Sequence, residues 1–304
     1  MLLLVSPIDI TYKAREVEET LDIYFYRPLG YWVAKGAFRL GLTPNFISIA
    51  SIFLGVIAGH FFYYPTLAIN AWGILLLVIS ETFDSADGQL ARLSQIFSKF
   101  GRILDGLASN LIYLSIYIHL VLRIASGWQL AYVFPLALLA GISHSCQGAL
   151  ADYYRNAYFY FVFGKKKSEL EELTEVAEKY HQLAWKKDLG RKFLMRIYLN
   201  YTRQQELLTR RFLDLFHLTK QRFADQVPEA IGKEYGQLNY PMIKYYNILT
   251  SNTRMMALFA SLILGRPILF FLFELLVLNT LLGWVWWRQN IICSRLIEVV
   301  KKSS

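Results

Sequence analysis

The sequence predicts an all-α, polytopic membrane protein with six transmembrane helices, an N-terminal interfacial amphipathic helix and a cytoplasmic helical insert. Three observations predict it. Hydrophobic residues make up 55% of the 304 positions and mean hydropathy is +0.32, too apolar for a soluble domain of this size. The apolar residues gather into runs close to the ~20 residues that cross a bilayer. Of the 32 Lys and Arg, only Arg123 and Arg266 fall in loops assigned to the far side. That asymmetry is the positive-inside bias, and it predicts a multi-pass protein with both termini and the polar insert in the cytoplasm.

The elements follow in order. Residues 1–41 form a leader and an interfacial helix, Glu18 to Leu40. That stretch mixes aromatics with Arg27, Lys35 and Arg39 and is expected to break near Pro28 and Gly30. Residues 42–154 hold four spans: Phe46 to Tyr64, Leu67 to Phe83, Ile103 to Leu122 and Leu130 to Leu150. Asp152 to Arg155 is read as the return to water. Residues 155–252 form the insert. One polar helix in it is capped by Ser168 and ended by Gly190, and a second runs from Arg191 to Phe223. Pro228, Gly232 and Pro241 mark turns. Residues 253–304 hold a short fifth span at Met255 to Leu264, extendable back to Tyr246. A sixth runs from Ile268 to Trp287, and a basic tail follows. Glu274 lies within the sixth span and is expected to face protein, not lipid.

Composition excludes several function classes. The net charge of +9 would suggest nucleic acid for a soluble protein. Beside so many apolar runs it reads as contact with anionic headgroups, and no nucleic-acid partner is expected. Cys146 and Cys293 give neither a disulfide framework nor zinc spacing. The five histidines are scattered, with no ligand spacing along one helix. The apolar run at the start has no basic residues ahead of it, so it is not read as a cleaved signal peptide. Arg196, Arg203, Arg210 and Arg211 are read as a solvated face, as is the Lys165 to Lys167 run.

The stretch Glu81 to Asn110 carries the chemistry. Asp84 and Asp87 are three apart and share a helix face. Gly88 and Ala91 lie one turn further on and keep that face small. Arg92 follows with a fixed charge suited to phosphate. Gly101, Asp105 and Ser109 repeat at four-residue intervals on the next helix. Two neighbouring helices can therefore gather Asp84, Asp87 and Asp105. Three such anions repel unless divalent cations lie between them. Oxygen-only ligands suit Mg²⁺ or Mn²⁺, with Ca²⁺ as a competitor. Acids at membrane depth can instead form an ion relay, so an ion-coupled transporter is the alternative from a different class.

The order D-x2-D-G-x2-A-R-x8-G-x3-D-x3-D is the signature of the CDP-alcohol phosphotransferases. This sequence resembles it at Asp84, Asp87, Gly88, Ala91, Arg92, Gly101 and Asp105. It departs at the last position, where Ser109 stands for the fourth aspartate. The Thr43-Pro44-Asn45 opening of the first span is also similar to the family's. The resemblance covers the membrane-embedded half and not the insert. It implies an integral-membrane enzyme of phospholipid synthesis. Such an enzyme moves a phosphoalcohol group from a CDP-linked donor to an acceptor alcohol and releases CMP. It implies two metal ions on Asp84, Asp87 and Asp105, and donor contacts from Asn45, Gly88, Ala91, Arg92 and Gly101. In the family the fourth aspartate is the general base, and a serine cannot replace it at neutral pH. Glu81, His144, Asp152 or a hydroxide on the metal can take that role. Otherwise the protein binds a CDP-lipid with little turnover, as a regulatory homologue. Homodimers are common in the family, and no residue feature here argues for or against one.

Overall fold

The structure is a computed structural model. It describes residues 17–97, 99–125, 129–165, 168–224 and 226–302; the side chains of 99, 100, 102, 103, 105 and 106 are outside the described set. The described residues are helical and contain no strand. They divide into two compact units: residues 1–142 with 254–273, and residues 143–253 with 274–304.

In the first unit a π-helical turn, Asp22–Tyr26, leads directly into α1 (Arg27–Arg39). The predicted break near Pro28 and Gly30 is absent. Pro28 is in the first turn of α1, directly after the π-helical turn, and the chain stays helical through it. Gly30 is a packing site: a Cβ there would lie 2.8 Å from Gln89 Nε2 and 3.2 Å from the Ala86 nitrogen. Ala34 and Ala37 continue the contact, in one buried cluster with Ile47, Ala86 and Leu90.

α2 (Pro44–Phe61) shows why Thr43-Pro44-Asn45 opens a helix. Thr43 is the N-cap and its Oγ1 accepts from the Phe46 nitrogen at 3.3 Å. Pro44 is pre-set for the first helical position. α3 (Leu67–Ser94) carries the apolar run straight on through the aspartates. It stops at Gln95, which adopts the left-handed conformation at φ 57° and donates from Nε2 to the Arg92 carbonyl at 2.7 Å. α4 (Lys99–Ile124) follows.

α2 is built inside out relative to a soluble helix, and α4 shares its apolar outer stripe. On α2 the outward stripe is Phe46, Ile49, Phe53 and Val56, and on α4 it is Leu111, Leu114, Ile118 and Leu122. The inward face of α2 is Ser48, Ser51, Gly55, Ala58 and Gly59. Apolar groups out and small groups in is the arrangement lipid demands. The seam is tight. Ser51 and Ser80 exchange hydroxyl-to-carbonyl bonds, both at 2.8 Å. A Cβ on Gly55 would meet Ile112 at 2.6 Å and Ser80 at 2.9 Å. A Cβ on Gly59 would meet Ser115 Oγ at 2.5 Å. At the far end Arg123 is not a loop residue: it lies in the last turn of α4 and donates to the Phe62 carbonyl and Asn70 Oδ1.

α5 (Leu130–Tyr158) continues through a π-helical segment, Phe159–Phe163, to Gly164 at φ +86°. The helix does not end at Asp152, because no breaker occurs before Gly164. α6 (Leu173–Gln182) starts later than Ser168; that serine donates to the Asn156 carbonyl and accepts from the Leu170 nitrogen instead of capping a helix. The expected helix from Arg191 to Phe223 is two, α7 (Leu189–Leu208) and α8 (Arg210–Phe223), broken at Thr209. Gly190 lies inside α7 and does not end a helix. Gly232 is likewise inside α9 (Glu229–Asn239), where a Cβ would strike the Phe161 carbonyl at 2.7 Å. α8 is an ordinary amphipathic helix, burying Phe212, Leu215, Phe216 and Thr219. Arg196, Arg203, Arg210 and Arg211 are exposed; Lys165 is too, while Lys166 and Lys167 lie outside the described residues.

α10 (Ile243–Ile248) and α11 (Ser251–Ile263) precede α12 (Ile268–Leu272). A π-helical stretch, Phe273–Leu278, then joins α13 (Asn279–Lys302). Glu274 is fully buried. Among the described residues five helices are long and apolar enough to cross a membrane: 44–61, 67–94, 107–124, 130–163 and 268–302. The expected fifth span is α11, which at 13 residues does not reach that length.

The seam generates a paired prediction. Gly59→Ala forces Ser115 or the α4 backbone to move and should cost about 1–3 kcal/mol. Gly36→Ala meets nothing within 4 Å and should stabilise by about 0.5–1 kcal/mol through helix propensity. Thermal unfolding of the purified protein in detergent checks both signs.

Candidate active site

Gly55 is the junction from which the site is measured, because it touches Ser80 of α3 and Ile112 of α4. α2 and α3 are antiparallel, since Ser48 pairs with Asp87 while Phe61 and Phe62 meet Gly73. α2 and α4 are parallel, since Gly55 meets Ile112 and Gly59 meets Ser115 and Ile116. Two turns, about 10.5 Å, from that junction lie Ser48 on α2, Asp87 on α3 and position 105 on α4. The three helices therefore bring Asp87 and position 105 to one level of the unit, with Ser48 between their helices. The Asp105 side chain itself is outside the described set.

Asp87 is 7% exposed, and Ser48 Oγ donates to its Oδ2 in a short hydrogen bond. Burial of a carboxylate is costly, and a hydroxyl donor offsets part of that cost. Asp84, Gly88, Ala91 and Arg92 are half-buried on the same run of α3. A Cβ on Gly88 would lie 3.5 Å from Arg92 Nη2, so the guanidinium folds back over the glycine. The opposite side of α3 is closed by α1: Gln89 Nε2 donates to the Arg27 carbonyl at 3.1 Å. Asn45 is half-buried on the first turn of α2 and precedes Ser48 by three residues, on one face. Gly101 and Ser109 are half-buried on α4.

Glu81 is half-buried and precedes Asp84 by one turn. Burial raises the Tyr26 phenol above its usual pKa, and the charge of Glu81, ahead of those of Asp22 and Glu19, raises it further. The phenol therefore stays protonated beside Glu81. Asp152, the other acid considered as a base, is tied into the second unit. It accepts from Asn156 Nδ2 at 3.1 Å and Gln205 Nε2 at 3.2 Å. His144 is buried in that unit. Sequence reasoning missed Ser48, Gln89 and Tyr26. Ser48 had one signal, a polar residue within reach of the Asn45 face.

Among the described residues no three His, Cys, Asp or Glu side chains converge as a metal site. The donor chemistry nevertheless suits a hard divalent ion. Asp84 and Asp87 offer carboxylate oxygens on one face, and the backbone brings position 105 to the level of Asp87.

A membrane-embedded helical unit with an aspartate motif at the end of one span defines the class, and the comparisons narrow it. Residues 41–148 match the family model described as CDP-alcohol phosphatidyltransferase, and they form a domain of that family. Archaetidylinositol phosphate synthase of Pyrococcus horikoshii is 26% identical over 119 residues, 39% of this chain and 62% of the relative. A candidate cardiolipin synthase of Mycobacterium bovis is 33% identical over 107 residues, 34% of this chain and 49% of the relative. The chain thus spans about half of one relative's length and 62% of the other's. No solved structure matches.

Ser48→Ala removes a donor from a buried carboxylate. Thermal stability should fall by about 1.5–3 kcal/mol, the range for hydrogen bonds to charged groups. Unfolding measured in detergent with EDTA present reads this term without metal compensation.

Proposed function

We propose that this protein is a Mg²⁺-dependent transferase of phospholipid synthesis. It would move a phosphoalcohol group, in our reading a phosphatidyl group, from a CDP-linked donor to an acceptor alcohol and release CMP. The observation that carries the proposal is the common level of Asp87 and position 105 beside Ser48. The names of the relatives, both synthases, support it.

On this reading Asp84, Asp87 and Asp105 hold two divalent ions, Mg²⁺ or Mn²⁺. Bound there, such ions neutralise the donor pyrophosphate and the departing CMP. Arg92 pairs with a donor phosphate from above Gly88. Gly88 and Ala91 leave the width in which cytidine lies against α3, Gly101 lets the α4 backbone approach the donor, and Asn45 hydrogen-bonds at the mouth. The acceptor oxygen bonds to the phosphorus distal to cytidine, the bridging oxygen leaves with CMP, and Glu81 takes the acceptor proton. Ser109 is neutral and serves as a hydrogen-bonding group only.

Six membrane passages complete the topology, with α11 as the extra one. It exposes Met256 and Ile263, and Leu264 just after it is exposed too, an apolar surface suited to lipid. The termini, the insert and the aspartates then share the cytoplasmic side, and α1 lies in the interface with Leu29, Trp32 and Leu40 exposed. The presence of Ser109 favours a second reading, a homologue that binds a CDP-lipid with little turnover.

CMP release from CDP-diacylglycerol with a panel of acceptor alcohols separates the two. Turnover should depend on Mg²⁺ or Mn²⁺ and vanish with EDTA or Asp105→Asn; activity unchanged in Asp105→Asn rejects the metal assignment. Glu81→Gln should lower kcat about 10²–10⁴-fold, the worth of a general base. Ser109→Asp should leave the rate within a few-fold; a large gain would show that Glu81 is not the base. Binding of the CDP-lipid without release from any pair selects the second reading.

A further inference from the structure

At the end of α2 opposite Ser48, two histidines far apart in sequence meet. His60 lies in the last turn of α2, and its Nδ1 is 3.2 Å from Nε2 of His119 on α4. The proton positions follow from the partners. His119 Nδ1 lies 2.8 Å from the Ser115 carbonyl, which can only accept, so Nδ1 carries the hydrogen. His119 Nε2 is then a lone pair, and His60 Nδ1 donates to it. The Ser115 hydroxyl donates to the Val56 carbonyl at 2.9 Å, which fixes the turn that holds His119. An imidazole whose second nitrogen donates to a backbone carbonyl is oriented as metal-ligating histidines are. His60 is exposed and His119 half-buried, so the pair is open to solute.

We propose that His60 and His119 form a site for one borderline divalent metal of the Zn²⁺ class, bridging α2 and α4. Tetrahedral zinc with bonds of about 2.0–2.1 Å sets two of its nitrogens about 3.3 Å apart, close to the separation seen here. His60 gives up its Nδ1 hydrogen and is reprotonated at Nε2, so both facing nitrogens become ligands with no net change of charge. Water fills the remaining positions. Imidazole selects Zn²⁺, Ni²⁺, Co²⁺ or Cu²⁺ and not Mg²⁺. The chain therefore keeps two metal chemistries at opposite ends of α2: soft enough for nitrogen here, oxygen-only around Asp87. The bridge fixes α2 to α4, the pair that carries Ser48 and position 105.

The test uses the untagged full chain in detergent with saturating Mg²⁺, which occupies oxygen-only sites. Isothermal titration with Zn²⁺ should show uptake of one ion per chain and a Tm rise of several degrees at saturation. His60→Ala and His119→Gln should each lose that uptake and that rise. His60 is exposed, so its variant keeps the fold even if His119→Gln does not, and its zinc-free Tm verifies this. Absence of Zn²⁺ uptake overturns the site and leaves the pair as a shared-proton contact. Uptake unchanged in His60→Ala overturns it too, assigning the ion to other histidines such as His181 or His217.

Discussion

The constraint on which the first unit depends is the cost of a charged carboxylate among apolar helices. Asp87 sits at 7% exposure, where an isolated charge loses several kcal/mol of solvation. One hydroxyl bond to a charged acceptor returns about 1.5–3 kcal/mol, so the Ser48 contact offsets part of that cost. Even the Ser48 contact requires α2 and α3 to approach closely. That explains Gly55 and the reciprocal Ser51–Ser80 bonds. Each small residue in the seam is a step in carrying Ser48 to Asp87. The packing of the bundle and the electrostatics of the motif are one problem.

The same logic separates the helices into two kinds. α2 turns large apolar side chains outward and keeps mostly serine, glycine and alanine within, because lipid gives no hydrophobic drive for helix association. α8 does the reverse, burying Phe212, Leu215 and Phe216 and exposing arginine, the pattern of a helix that faces water. The second unit is held by buried polar bonds as well as by aromatics. Gln289 donates to Asn239 Oδ1 at 2.6 Å, and Phe161 stacks on Tyr235 at 4.3 Å. Arg222 donates to the last carbonyls of α13, at Val300 and Lys301, the end of a helix where a cation is favoured.

Much of this was legible in the sequence, and the failures have physical causes. The motif spacing gave Asp84, Asp87, Gly88 and Ala91 one helical run, and α3 does continue through them. Boundaries failed where glycine and proline were read as punctuation. Pro28 in a first turn breaks nothing, and Gly30 and Gly232 are contact points inside helices. Ser168 was read as a cap because the polar run after it is helical, yet its hydroxyl serves Asn156. Ser48 and the His60–His119 pair were invisible for a different reason. Their partners are 39 and 59 residues away, and no one-dimensional period reports a contact between helices.

The helix register also bears on Ser109. Counted from the Gly55 junction, Asp84 on α3 and positions 108–109 on α4 stand at one level, about one turn above Asp87 and position 105. On the proposed reading, a family member with aspartate at 109 crowds two carboxylates at that level. Here the charge is gone from α4, while α3 carries Glu81 one turn from Asp84. Glu81 is the single further acid on that helix, and it lies beside a Tyr26 phenol that its own charge helps keep protonated. On the proposed reading Glu81 supplies from α3 the carboxylate that α4 lacks at 109, and the base then lies one turn from Asp84 on the same helix.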